Sequence, residues 1–213
     1  MRMRKKPNLV PRMERCAETL ALSPEQYKDR WLEVFPGYKE LQLELGCGKG
    51  RFTADTAQAD PDVFLAAIER VEDALVVGME RVFDNGIKNV RFLDTDVINC
   101  PDIFGENEVS RIYINFCDPW RKTRQFKRRL TAPSFLKIYS SILNENGEVW
   151  FKTDNVPLFE WSLEQFEAEG WTLSEVTRDL HANGPVGIMT DYEAKFYSQG
   201  VKINRCVARP PRR

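Results

Sequence analysis

The chain has 213 residues, 42% hydrophobic and 30% charged, with a formal net charge of −1, which suits one ordinary domain with a buried core and singles out no partner. No apolar run approaches the ~20 residues that span a bilayer, and no apolar stretch or small-residue cleavage site follows the basic start at Met1 to Lys6, so neither a membrane span nor a secretory leader is expected. Five scattered cysteines with no C-x-x-C pair, and a single histidine, exclude a disulfide framework and a His-rich metal site; a reducing, cytoplasmic setting without metal is expected.

Residues 1–40 carry a weak pattern and are expected to form a basic, partly flexible N-terminal extension to one domain spanning 1–213. Within them, Ser23-Pro24-Glu25-Gln26 reads as a helix start with proline at the first helical position. Leu41 to Leu45 alternates as a strand and runs into Gly46-Cys47-Gly48-Lys49-Gly50. A helix follows over Arg51 to Ala59, then a continuous apolar strand, Val63 to Ile68, ending in Glu69. Asp73 to Phe83 predicts a helix closed by Asn85-Gly86, and Val90 to Leu93 a strand leading to Asp94-Thr95-Asp96. Arg111 to Phe116 predicts a strand that runs into Asp118-Pro119-Trp120. Phe135, Leu136, Tyr139, Ile142 and Leu143 repeat at helical spacing. Glu148 to Phe151 predicts a strand before Lys152-Thr153-Asp154-Asn155, Leu158 to Ala168 a helix, and Trp171 to Val176 and Phe196 to Val207 the last strands.

Strands alternating with helices imply an α/β, Rossmann-like, doubly wound sheet: seven strands, mainly parallel, with helices on both faces. In such sheets ligands bind beyond the carboxyl ends of the strands. Glu44, Glu69, Asp96, Asp118 and Asp154 stand at five successive strand ends. The glycine turn lacks the G-x-x-x-x-G-K-[ST] order of a phosphate loop. It also departs from the dinucleotide fingerprint, because Arg51 occupies the last glycine position. Its G-x-G-x-G spacing behind Glu44 resembles the first motif of class I methyltransferases. Carboxylates there suit S-adenosylmethionine, whose ammonium and sulfonium are positive where a dinucleotide is anionic. Glu69 is placed for the ribose hydroxyls and Asp96 for the adenine amine.

Basic residues cluster in three places: Arg2, Arg4, Lys5, Lys6, Arg12 and Arg15; Arg121, Lys122, Arg124, Lys127, Arg128 and Arg129; and Arg205, Arg209, Arg212 and Arg213. Screening over ~8 Å lets a polyanion respond to such clusters rather than to the total charge. If helical, Arg121, Arg124 and Arg128 share a face, which grips phosphates rather than reading bases. The block abuts Asn115 to Trp120, the expected reaction loop, and so points to a nucleic-acid substrate. Trp120 is either a turn tryptophan or a platform for a flipped base. Phe159, Trp161 and Phe166 read as helix core, and His181 as a structural residue.

The chain resembles the bacterial tRNA (guanine-N7-)-methyltransferases over nearly its whole length. The resemblance rests on Arg2-Met3-Arg4, Glu44 to Gly50, Asn115 to Arg129, Phe151 to Asn155, and Met189 to Glu193. It implies methyl transfer from S-adenosylmethionine, released as S-adenosylhomocysteine, to the N7 atom of a variable-loop guanosine in tRNA. It implies donor contacts at Glu44, Gly46, Gly48, Gly50, Glu69, Asp96 and Asp118, with Asp118 catalytic. It implies substrate contacts at Lys122, Asp154, Thr190, Asp191, Tyr192 and Glu193, and an RNA-binding stretch of Arg124, Gln125, Phe126, Lys127, Arg128 and Arg129. Cys117, Gln125 and Asp191 depart from the serine, histidine and glutamate common in that family. tRNA is the implied partner; no obligate protein partner is expected, and the state is monomer or homodimer. Two other readings stay open: a class I methyltransferase acting on an exocyclic amine or another RNA site, and a non-catalytic RNA-binding protein of the same fold.

Overall fold

The computed structural model describes residues Asn8 to Pro211; the basic residues of 1–7 and 212–213, with Arg2-Met3-Arg4, lie outside the described residues. Two compact units, residues 1–105 and 106–213, divide the chain.

The first unit begins with α1 (Leu9–Arg15), two 3₁₀ turns (Ala17–Thr19 and Pro24–Tyr27) and α2 (Trp31–Val34). The helix expected at Ser23-Pro24 is thus a four-residue 3₁₀ turn, ended where Asp29 takes a left-handed φ of 63°. Nor is this segment an appendage. Trp31 is fully buried, donates from Nε1 to the Ile103 carbonyl (3.0 Å), and stacks on Phe104; Phe35 stacks on Phe64 at 4.6 Å. Fully burying a ring such as Phe64 or Phe104 contributes on the order of 1.5–3 kcal/mol, and the packing of Trp31 and half-buried Phe35 on them fixes the segment despite its weak periodicity. Next come β1 (Glu40–Leu45), α3 (Arg51–Ala59), β2 (Val63–Ile68), α4 (Glu72–Asp84), β3 (Val90–Leu93), a 3₁₀ turn (Val97–Asn99) and α5 (Cys100–Ile103). The apolar run of β2 is buried at every position, as a parallel strand covered on both faces requires; it pairs in parallel with β1 and β3. Asn89 ties the turns before β2 and β3, donating to the carbonyls of Ala57 (2.8 Å) and Val63 (2.9 Å).

The second unit holds β4 (Val109–Asn115), a 3₁₀ helix (Thr123–Arg128), α6 (Pro133–Ile142), β5 (Leu143–Thr153), α7 (Val156–Ala168), β6 (Thr172–Thr177), α8 (Asp191–Ser198) and β7 (Asn204–Arg209). β5 is longer than expected because Leu143 also pairs with Val109, across a register shift. The strand expected over Phe196 to Val207 is wrong in its first half. Thr190 and Glu193 form a capping box that starts α8, the helix runs through Phe196, and Gly200 (φ 69°) turns the chain into β7. β4 and β5 are parallel, whereas β7 runs antiparallel to β5 and β6. The seven strands form one mainly parallel sheet in the order β3-β2-β1-β4-β5-β7-β6, a Rossmann-like doubly wound arrangement.

Candidate functional site

In the first unit, β1 leads into a turn whose three glycines all have left-handed φ: 74° at Gly46, 59° at Gly48 and 67° at Gly50. They do different work. A Cβ on Gly50 would lie 2.7 Å from the Cα of Gly78, so Gly50 lets α3 and α4 pack closely. A Cβ on Gly46 or Gly48 would meet nothing within 4 Å; there the bare backbone forms a cradle that side chains would fill. The turn is pinned to the end of β2, since the N–H groups of Gly46 and Cys47 both donate to the Ile68 carbonyl (2.8 and 3.0 Å). Gly48 N–H donates to Glu69 Oε2 (3.0 Å), and Val71 N–H donates to Glu69 Oε1 (2.8 Å). Each oxygen of Glu69 thus takes one backbone donor and keeps acceptor capacity for another, as a ribose diol needs. Glu44 is buried and accepts from Thr53 Oγ1 (2.6 Å), fastening the end of β1 to α3. Asp96 accepts from Ile98 N–H (3.2 Å) through Oδ1 and pairs with Arg70 (2.8 Å) through Oδ2. An open cradle of backbone with left-handed glycines, hydrogen-bonded to the Glu69 carboxylate, fits a cationic amino-acid donor and disfavours a phosphate.

In the second unit, β4 ends at buried Asn115 and breaks into Phe116-Cys117-Asp118-Pro119-Trp120. Phe116 (φ 54°) and Trp120 (φ 41°) are non-glycine residues in left-handed conformations, a strain seen preferentially at functional loops. Asp118 between them is exposed. Burial, with the neighbouring Asp118 charge, pushes the Cys117 thiol up to about 12, so it stays protonated and serves no nucleophilic role at neutral pH. Phe116 N–H donates to the Lys152 carbonyl (2.9 Å), binding this loop to the end of β5, where half-buried Asp154 follows.

The segment 190–193 splits in two. Asp191 and Tyr192 are exposed. Glu193 is fully buried: its carboxylate accepts from Lys152 Nζ (2.7 Å), Thr190 N–H (3.3 Å) and His181 Nε2 (3.0 Å). Val186 N–H donates to His181 Nδ1 (3.2 Å), so the His181 proton sits on Nε2. Thr190 and Glu193 therefore hold the start of α8 against β5, with Glu193 a buried support. Tyr192 meets Phe196, which in turn meets Phe116 (5.6 and 6.2 Å between rings). The reaction loop, the Asp154 turn and the start of α8 are thereby joined.

The basic clusters differ in the same way. Arg12 and Arg15 pair with Glu80 and Asp84 of α4, while Arg205 and Arg209 pair with Glu175 and Glu148. These four serve the protein's own surface. Arg121, Lys122, Arg124, Lys127 and Arg128 are exposed, and among the described residues none has a carboxylate partner. The helix over Thr123–Arg128 is 3₁₀, with three residues per turn, so Arg124 and Lys127 share a face, Arg128 leaves it, and Arg121 and Lys122 precede it. Arg128 instead lies over the half-buried Trp120 ring (5.1 Å). Arg129 differs from these neighbours. It is 4% exposed, donates to the carbonyls of Pro119 (2.9 Å) and Trp120 (3.4 Å), and lies over Phe126 (3.5 Å) and Trp161 (4.5 Å). It shapes the loop rather than offering its charge to phosphates. Gln125 and Phe126 are half-buried. Phe159 and Phe166 are core as expected, whereas Trp161 is half-exposed on the other face of α7.

A family model described as "Putative methyltransferase" matches residues 38–206. The chain is 43% identical to the tRNA (guanine-N(7)-)-methyltransferase of Bacillus velezensis, covering 96% of this chain and 95% of that one. It is 40% identical to the protein of the same name from Geobacillus kaustophilus, covering 100% and 99%. The 16S rRNA methyltransferase KamB shares the fold, with a TM-score of 0.66 at 13% identity over 86% of this chain and 94% of that one.

Proposed function

The chain belongs to the tRNA (guanine-N(7)-)-methyltransferase family, and from that premise we propose that it transfers a methyl group from S-adenosylmethionine to N7 of a guanosine in tRNA. The observation that carries the reading is the glycine cradle hydrogen-bonded to Glu69 in the first unit, a fit for a cationic nucleoside donor. In support, the second unit presents an unneutralised basic segment beside a strained acidic loop. The donor supplies an electrophilic methyl that a ring nitrogen attacks in line.

The chain's own residues do the rest. Gly46 and Gly48 admit the donor's amino-acid end to the backbone, with Glu44 supplying negative potential from beneath; Gly50 sets the turn by seating α3 on α4. Glu69 accepts from the ribose hydroxyls and Asp96 from the adenine amine. N7 of guanine has an in-plane lone pair and no proton, so no general base is needed; alignment and charge account for the rate. Asp118 and Asp154 stabilise a purine that gains positive charge, and accept from its ring amide and amine, which selects guanine over adenine. Asp118 is the catalytic residue in this scheme, and its donor contact is part of the same proposal. Lys122 holds a phosphate or the guanine carbonyl oxygen; Thr190, Asp191 and Tyr192 border the base; Arg124, Lys127 and Arg128 hold phosphates, with Gln125 and Phe126 carrying that segment. The protein acts without a metal, as a soluble cytoplasmic enzyme. Incubation with methyl-labelled donor and bulk tRNA, followed by nucleoside digestion, tests the reading. Label in 7-methylguanosine supports it; label in an amine-methylated nucleoside, or none, refutes it.

A further inference from the structure

α7 has two faces. Leu158, Phe159, Ser162 and Phe166 are fully buried in the core, while Pro157, Glu160, Trp161 and Glu164, at i, i+3, i+4 and i+7, line an open cleft of about 660 Å³. The opposite wall is Pro119, Arg121 and Phe126. We propose that this cleft binds one unpaired nucleobase of the RNA, that of a nucleotide directly neighbouring the methylated guanosine. The proposal rests on the tRNA-methylation reading and adds a second nucleotide site to it.

Three features carry it. The walls are aromatic and held in place: Phe126 and Trp161 meet edge to face at 5.6 Å, and the buried Arg129 guanidinium lies against both rings. Trp161 packs on Phe126 and Arg129 yet keeps part of its ring open to the cleft, and a base has a π-face that stacks on such a ring. The charge is divided. Arg121, which lines the cleft, is exposed and, among the described residues, has no carboxylate partner, which suits a phosphate. The α7 wall carries carboxylates. Glu160 is taken up by Arg178 (2.7 and 2.8 Å), and Glu164 is exposed with no ion-pair partner among the described residues. A carboxylate repels a phosphate but accepts from the amino and imino groups of a base edge, so the cleft takes the base and Arg121 takes the backbone. Finally, Pro119 lines the cleft and Asp118 precedes it in the chain, which sets the occupant next to the target. The size suits a nucleotide, within the roughly 300–1,000 Å³ of small-ligand sites.

The test uses full-length protein and tRNA transcripts carrying an abasic residue on either side of the target guanosine. Trp161→Ala should raise KM for tRNA by roughly 5- to 150-fold, the range for one lost base–aromatic stack, with unchanged S-adenosylmethionine affinity. Trp161→Phe should recover most of the loss. In the parent, one of the two abasic transcripts should raise KM by a similar factor, and Trp161→Ala should be indifferent to that same lesion. An unchanged KM, or an abasic penalty equal in parent and variant, overturns the proposal. Arg129 leans on Trp161, so if Trp161→Ala loses its fold the exposed Glu164→Gln decides. It should raise KM on the intact transcript and leave it unchanged on the abasic one; no effect on either overturns the proposal. A parent that forms no 7-methylguanosine removes the cleft and the function together, whereas an active parent with an indifferent Trp161 removes the cleft alone.

Discussion

Arg129→Ala separates a cation that builds the protein from its neighbours that face solvent. The Arg129 guanidinium donates to the carbonyls of Pro119 and Trp120 and lies over Phe126 and Trp161. A hydrogen bond from a charged group contributes about 1.5–3 kcal/mol; the 2.9 Å bond counts fully and the 3.4 Å bond little. The ring contacts add about 1–2 kcal/mol where desolvated. Burial opposes the charge and lowers the Arg129 pKa, so removing the side chain recovers part of this. The net expectation is a loss of about 2–4 kcal/mol, read as a lower urea midpoint at constant m-value. Arg124→Ala, at an exposed position, should stay within about 0.5 kcal/mol of the parent. In tRNA-binding titrations the order reverses in kind. Arg124→Ala should reduce the slope of log affinity against log salt by about 0.7–0.9, and Arg129→Ala should leave the slope unchanged while its fold holds. If Arg129→Ala proves as stable as Arg124→Ala and flattens the salt slope equally, the buried role is wrong and Arg129 is a phosphate contact after all.

Glu69→Ala should weaken S-adenosylmethionine binding by about 1.5–3 kcal/mol without changing tRNA affinity; unchanged donor affinity by calorimetry would contradict the ribose assignment. The two glycines should part company. Both alanine variants carry the cost of a left-handed φ, about 1–2 kcal/mol, but Gly50→Ala also meets Gly78 at 2.7 Å and should lose about 1–3 kcal/mol more, whereas Gly48→Ala, in open space, should in addition reduce donor affinity; equal effects on stability would refute the division. The thiols of Cys100, Cys117 and Cys206 are pushed up to about 12 by burial. A raised thiol pKa means less thiolate, so at pH 8 their reaction with iodoacetamide should be slower by roughly a thousandfold than for an ordinary cysteine, and fast only in denaturant. Rapid native alkylation of Cys100, read by mass spectrometry, would contradict its burial.

The alternating elements from Leu41 to Phe166 were legible because parallel strands buried on both faces read as apolar runs, and helices between them carry their own spacing. The glycine turn and Glu69 were legible for the same reason: strand ends are easy to place. The start of the chain was not, because Trp31 and Phe35 act through aromatic packing on Phe64 and Phe104, which has no period. α8 was missed although Thr190-Asp191-Tyr192-Glu193 carries a capping-box pattern; the β-prone Phe196 and Tyr197 outweighed it. The roles of Arg129 and Glu193 were hidden because charge predicts exposure, and only the fold shows what each is paired with. Trp161 looked like core because a helix face cannot be assigned as buried or open when both faces carry aromatics.

Single-turnover methyl transfer to tRNA by parent and Asp118→Ala, read by reduction and aniline cleavage of the product, tests the central claim most directly. Methylation at N7 makes the chain cleavable at that guanosine, and amine methylation does not. The parent should give cleavage at one guanosine; Asp118→Ala should bind tRNA nearly as the parent does and give none. Labelled but uncleavable tRNA from the parent, or cleavage by Asp118→Ala within a fewfold of the parental rate, would contradict the account.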